Sequence, residues 1–226
     1  MNNEEQNNEE VVKSKPFSVI QYIEDNSKNL MYAGIALVVV AAGFWYYTSI
    51  LTPKKNGTAN DELYQAEAFF ESDSLDLALN GNGDNILGLR DVADEYGSTP
   101  AGERAKFLSA RALMEKGSFD EALEYLESVS FDDEMVAPLA RCLEGDCQVQ
   151  LENFDAGLSM YLKAAKMRDN TFTTPYCYMK AARLQMKIED WAGALKSLQV
   201  VEKEYKSSQY AINVDKEIAF VKAAIK

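Results

Sequence analysis

The chain has 226 residues, 23 basic and 36 acidic, for a formal net charge of −13. Residues 61–226 hold 18 of the basic and 30 of the acidic side chains, a net of −12, so this part is repelled by phosphate backbones and by anionic lipid, and nucleic-acid binding is disfavoured. Histidine is absent, which removes the usual general base, Ser-His-Asp and Cys-His arrangements and most catalytic zinc sites.

The first ten residues, MNNEEQNNEE, are polar and acidic, and a disordered tail is expected. From Pro16 to Asp25 apolar residues recur every three positions, at Phe17, Ile20 and Ile23. That pattern fits a short amphipathic helix on a membrane surface, or equally a helical lead into a span. Leu30–Leu51 then runs for 22 residues without a charge. At 1.5 Å per helical residue this is about 33 Å, enough to cross the hydrocarbon core of a bilayer. Small residues (Gly34, Ala36, Ala41, Ala42, Gly43) and a terminal aromatic cluster (Trp45, Tyr46, Tyr47) suit such a helix. Two alternatives compete. A buried core helix seldom runs this long without a charge. A cleaved signal peptide has an apolar core of about 7–15 residues and a small-x-small site, whereas bulky residues stand at the end of this run. An uncleaved anchor over 30–51 is expected, preceded by a segment over 1–29. Lys13, Lys15 and Lys28 precede it and Lys54 and Lys55 follow, a slight bias towards a cytoplasmic N-terminus. Residues 52–60 read as a polar linker.

Beyond Asp61 the periodicity is helical throughout. Tyr64, Ala68, Leu75 and Leu79 mark a first long helix, the run NGNGDN over 80–85 a turn, and Ile86, Leu89, Val92, Ala93 and Tyr96 a second helix ending at Gly97. Thr99-Pro100 and Thr174-Pro175 each read as an N-cap followed by proline at the first helical position. An internal repeat follows. Gly117-Ser118-Phe119-Asp120-Glu121-Ala122-Leu123 returns as Glu152-Asn153-Phe154-Asp155-Ala156-Gly157-Leu158 and as Glu189-Asp190-Trp191-Ala192-Gly193-Ala194-Leu195, with the aromatics 35 and 37 residues apart. This resembles the tetratricopeptide repeat, with a period of 34. In that family the aromatic starts the second helix of each unit, and the small residue three later (Ala122, Gly157, Ala194) lets the two helices approach. The large aromatic usual near the start of the first helix is missing at Lys106 and Arg141, and only Tyr178 supplies one. The resemblance implies an all-α fold: a tetratricopeptide-repeat helical solenoid preceded by one transmembrane helix. Residues 61–98 form a diverged N-terminal helix pair, 99–206 three repeats, and 207–226 a C-terminal capping helix with Tyr210, Val214, Ile218 and Val221.

Cys142, Cys147 and Cys177 form no CxxC and are odd in number, so they read as small buried residues rather than a disulfide framework. Acid pairs such as Asp132-Asp133 read as solvated loop charges. No enzyme activity, cofactor, metal or small-molecule substrate is expected.

The resemblance also implies a concave groove lined by the first helices. Carried over residue by residue, it gives Arg104, Phe107, Arg111 and Met114, then Leu139, Cys142, Asp146 and Val149, then Tyr176, Met179, Arg183 and Met186. The set is apolar and Met-containing, and locally basic, which suits adaptable protein contacts; solvated or core-facing residues are the alternative. Receptors of this class that clamp a chaperone's terminal carboxylate use Lys and Asn at positions occupied here by Phe107, Cys142 and Met179 and by Arg111, Asp146 and Arg183, so no such clamp is expected.

Tyr22-Ile23-Glu24-Asp25-Asn26-Ser27-Lys28 before the span, Gly43-Phe44-Trp45-Tyr46-Tyr47 at its end, Asp73–Gly81 and Asp94-Glu95-Tyr96-Gly97 are together similar to the YfgM-like family, ancillary subunits of the bacterial SecYEG translocon, in its Bacteroidetes form. The resemblance implies a single-pass inner-membrane protein with a cytoplasmic N-terminus, a periplasmic repeat domain, and contacts with translocon subunits, periplasmic chaperones or emerging chains. A scaffold for envelope assembly and an N-anchored receptor with cytosolic repeats are the alternatives.

Overall fold

The computed structural model describes residues 22, 23, 26–83 and 85–225. The expected acidic tail and most of the Pro16–Asp25 lead lie outside these residues, though Tyr22 and Ile23 are helical. The chain is all-helical among the described residues and divides into two compact units, Met1–Pro53 and Lys54–Lys226.

In the first unit, α1 spans Ser27–Tyr46 and is followed by a π-helical turn over Tyr47–Leu51. None of the residues of either element is buried. A helix apolar on every side and buried on none is not a core helix; it is long and apolar enough to cross a membrane. Pro53 accounts for the π turn. Its ring has no N–H to donate and would press on the carbonyl four residues back, and a widened turn relieves that clash. Thr52 Oγ1 donates to the Tyr47 carbonyl at 3.0 Å within this turn.

The second unit is built from helix pairs. The segment over 52–60, expected as a linker, is instead helical, as the start of α2 (Thr52–Glu71). Asn56 and Gly57 are weak helix formers, but Ala59, Leu63 and Ala66 are buried there, and burial outweighs propensity. The expected single helix from Tyr64 to Leu79 is broken at Asp73, so Leu75 opens a separate helix, α3 (Leu75–Asn80). After a loop come α4 (Leu89–Tyr96), α5 (Pro100–Glu115), α6 (Phe119–Ser128), α7 (Val136–Gln150), α8 (Phe154–Met167), α9 (Thr173–Lys187) and α10 (Trp191–Glu204). A short 3₁₀ turn over Gln209–Ala211 leads into α11 (Val214–Ala224).

Phe119, Phe154 and Trp191 are the first residues of α6, α8 and α10. The turn before each is built the same way. Gly117, Glu152 and Glu189 have φ of 80°, 62° and 62°. The following amide donates to a carbonyl five residues back: Ser118 to Leu113 at 2.9 Å, Asn153 to Gln148 at 2.8 Å, Asp190 to Gln185 at 2.8 Å. This is a Schellman closure, which satisfies the last carbonyls of the preceding helix. It occurs a fourth time at Asp73 (φ 59°), where Ser74 donates to Phe69 at 2.9 Å. The α2 and α3 helices are thus joined like the three later pairs. The six residues of α3 and eight of α4 equal in number the 14 of α8, with residues 81–88 intervening in the sequence. A left-handed φ is free for glycine and costs other residues about 1 kcal/mol. A Cβ at Gly117 would meet nothing within 4 Å, so the backbone is the whole cost there. Gly117→Ala should therefore lower stability by about 1 kcal/mol in a denaturant titration; an unchanged midpoint would mean that the turn relaxes.

At the start of α5, Thr99 caps the helix as expected, its hydroxyl accepting from the Gly102 amide at 3.1 Å ahead of Pro100. Thr174 does not cap α9, which begins one residue earlier. Asn170 does that work: its Oδ1 accepts from the amides of Phe172 and Thr173 at 2.9 and 2.7 Å. Thr174 is buried, with its hydroxyl donating to the Arg168 carbonyl at 3.1 Å.

Four apolar cores follow one another along this unit. The first joins α2–α5, the second α3 and α5–α7, the third α7–α9, and the fourth α9–α11. Val214, Ile218 and Val221 of α11 enter the fourth core, while Phe220 stands exposed with its ring edge-on to Trp191 at 6.2 Å.

Candidate functional site

The first helices of successive pairs, α2, α5, α7 and α9, and then α11, present charged residues one repeat apart. Those charges meet. Arg104 Nη2 on α5 donates to Glu67 Oε1 on α2 at 2.5 Å. Lys180 Nζ on α9 donates to both carboxylate oxygens of Asp146 on α7 at 2.8 Å. Arg183 Nη2 on α9 donates to Glu217 Oε1 on α11 at 3.2 Å. The partners are 37, 34 and 34 residues apart, so the repeat spacing itself brings opposite charges together. The surface is a ladder of ion pairs that also ties neighbouring helices.

Asp146 is its most tightly held member. Besides Lys180, it accepts a hydrogen bond from the Tyr161 hydroxyl on α8 at 2.5 Å. Burial pushes the Tyr161 hydroxyl well above the usual tyrosine range, and the Asp146 carboxylate adds to the effect. Burial pulls Lys180 the other way, but Asp146 and the Tyr176 hydroxyl outweigh it and leave the ammonium raised. At neutral pH Lys180 is therefore charged and Tyr161 is a donor. The Lys180 ammonium also lies 5.4 Å from the centre of the Tyr176 ring.

A hollow of about 550 Å³ opens beside this cluster, lined by Arg111, Met114, Phe119, Asp146, Val149 and Lys180 among others. Four of the residues expected for a groove, Arg111, Met114, Asp146 and Val149, come together there. Arg111 pairs along its own helix with Glu115 at 3.6 Å and lies over the Phe70 ring at 5.8 Å. Arg104 and Arg183 are exposed at either side. Others fall elsewhere. Met179 is buried among Ala182, Ala194 and Leu198, and Cys142 is buried beside Cys177, so neither lines a surface. Phe107 and Leu139 pack half-buried in the second core, Phe107 edge-on to Phe131 at 5.7 Å. Met186 packs on the fourth core, and Tyr176 against Tyr210 at 5.4 Å. Lys180, Tyr161, Glu67 and Glu217 escape a reading of the sequence alone, although opposite charges one period apart are the signal that could have found them.

The three cysteines are free and buried. A hydrogen bond with Cys177 and then burial push the Cys142 thiol far up, and burial pushes Cys147 up to about 12. Such groups are packing thiols rather than nucleophilic thiolates. Among the described residues no group of three or more His, Cys, Asp or Glu side chains is placed to hold a metal ion. What the arrangement offers a ligand is a hollow of mixed character, in which Met114, Phe119 and Val149 stand among two cations, Arg111 and Lys180, and two acids, Glu115 and Asp146. No protein-family model matches the chain, and no curated protein matches it either.

Proposed function

We propose that this chain is a non-enzymatic, membrane-anchored adaptor whose helix pairs form a tetratricopeptide-type solenoid that holds protein partners. One observation carries the reading: the same left-handed turn closes four successive helix pairs, at Asp73, Gly117, Glu152 and Glu189, and an aromatic residue opens the second helix in three of them. The unburied apolar helix α1 supplies the anchor. Three lysines before the span against two after it, together with the resemblance to YfgM-like translocon subunits, support a cytoplasmic N-terminus and a periplasmic repeat domain. Translocon subunits, periplasmic chaperones and emerging chains are the partners this placement implies. Tethering raises the local concentration of the binding surface, so weak contacts suffice.

Protease added to the periplasmic face of spheroplasts should digest the repeat domain, and the same protease should leave it intact when it reaches only the cytosolic face. Digestion from the cytosolic side would overturn the topology and favour an import-type receptor. A photo-crosslinking residue at Met114 should trap protein partners in cells, and Arg111→Glu with Arg183→Glu should reduce that recovery. Unchanged recovery would remove the groove from the reading.

A further inference from the structure

Val214, Ile218 and Val221 turn one side of α11 into the fourth core. A helix with that spacing carries Lys216, Ala219, Phe220 and Ala223 on its opposite side, and all four are exposed. Among the described residues no other helix covers that side. Apolar surface is left in water there. The Phe220 side chain, edge-on to Trp191 at 6.2 Å, is 61% exposed, and Ile212, just ahead of the helix, is 78% exposed.

The charges along this side are of both signs and unsatisfied. Asp215 and Lys222 are exposed, and among the described residues neither enters an ion pair. Asp215 borders a hollow with Lys203 and Lys206 but pairs with neither. Glu217 differs, being already held by Arg183. Seven residues, or two turns, separate Asp215 from Lys222, so both stand on one edge of the outer face, about 10.5 Å apart, with Ala219 between them. An edge with an acid at one end and a base at the other is complementary to its own reverse. When two such helices lie antiparallel about a twofold axis, the same edge of each meets the other. Asp215 then faces Lys222 of the second copy, and Lys222 faces its Asp215. A parallel pairing would set like charges together.

We infer that the outer face of α11 docks a second copy of this chain, the two helices antiparallel about a twofold axis beside Ala219. The alanines at 219 and 223 let the helix axes approach to about 8 Å. Phe220 stands on the opposite edge from Asp215 and Lys222, where the twofold axis brings the two rings within reach of each other. A contact of one short helix on another is small, so the pairing is weak and reversible. No residue of this face lines the hollow at Met114, so capture of partners there bears on neither outcome.

The test is sedimentation velocity of the full-length chain in non-ionic detergent, over about a hundredfold range of concentration. The chain should associate reversibly to a dimer. Asp215→Lys alone and Lys222→Asp alone should each weaken the dimer at least about tenfold, because each sets like charges together at both ends of the contact. The double variant Asp215→Lys with Lys222→Asp should restore it. The two single variants, mixed, should pair with each other rather than with themselves. Lys166→Asp on α8 should change nothing. Ala219→Cys should form a disulfide-linked dimer on mild oxidation, and circular dichroism should show unchanged helical content throughout. A chain that stays monomeric over the whole range overturns the inference. So does a dimer that survives the single reversals, which would place the association in the apolar helix α1, or a double reversal that fails to restore pairing.

Discussion

Gly145→Leu is expected to unfold the α7–α8 region at a cost of about 3 kcal/mol or more, near the top of the range for overpacked cores. The two helices touch through glycines. A Cβ at Gly145 would lie 2.6 Å from the Cδ1 and Cε1 atoms of the Tyr161 ring and 3.1 Å from the Gly157 carbonyl oxygen. One at Gly157 would lie 2.6 Å from Val149 Cγ2. The Tyr161 ring is not free to swing aside, because its hydroxyl is held by Asp146 at 2.5 Å. Gly145→Ala is the graded version of the test. Alanine gains about 1 kcal/mol of helix propensity over glycine, and the clash costs about 1–3 kcal/mol, so a net loss of roughly 1 kcal/mol remains. Denaturant titration of the full chain in detergent, followed by circular dichroism, measures both. A stabilised alanine variant would show that α7 and α8 can separate without penalty, and the close approach would lose its importance.

Lys180→Met is the second large effect, expected at roughly 2–3 kcal/mol. Removing one partner of a buried ion pair costs about 3–5 kcal/mol, because the other charge is left without compensation. The figure is reduced here because Asp146 keeps 15% of its side-chain surface exposed and still receives the Tyr161 hydroxyl. The double variant Asp146→Asn with Lys180→Met should recover most of the loss, since no unpaired charge then remains. A double-mutant cycle gives the coupling directly. The same cycle at Arg104 and Glu67, where the guanidinium is mostly in water, should yield no more than about 1 kcal/mol. Equal coupling at the two pairs would contradict the difference in burial.

The parts of this fold that could be read from sequence are those where one residue type has one local job. Phe119, Phe154 and Trp191 marked the starts of three helices, and Thr99-Pro100 marked a fourth. The break at Asp73 was hidden because an aspartate occupies a position that glycine marks at Gly117. The helical state of 52–60 was hidden because its residues are poor helix formers and only the packing of Ala59 and Leu63 decides the matter. Thr174-Pro175 imitated Thr99-Pro100 in sequence, yet Asn170 took the cap because its side chain reaches two amides at once. The candidate surface was legible in outline. Its mapped positions included Arg111, Met114 and Asp146, but also Met179, which a small shift in helix rotation sends into the core. Which charges are neutralised, and which partner of each pair faces water, depends on contacts between residues 34 to 37 apart and emerges only once the helices are side by side.

The order of the four cores has a consequence for biosynthesis. Their buried residues span 59–105, 79–147, 142–184 and 179–221, each window overlapping the last. No core waits for a segment made much later. As the chain leaves the ribosome, α2–α5 can close before α7 exists, and each later helix pair finds a finished surface to settle on. Folding of this kind is local and sequential, with short-lived exposure of apolar surface at the growing end only. The same order makes the polypeptide tolerant of being delivered slowly, from one end, through a narrow opening.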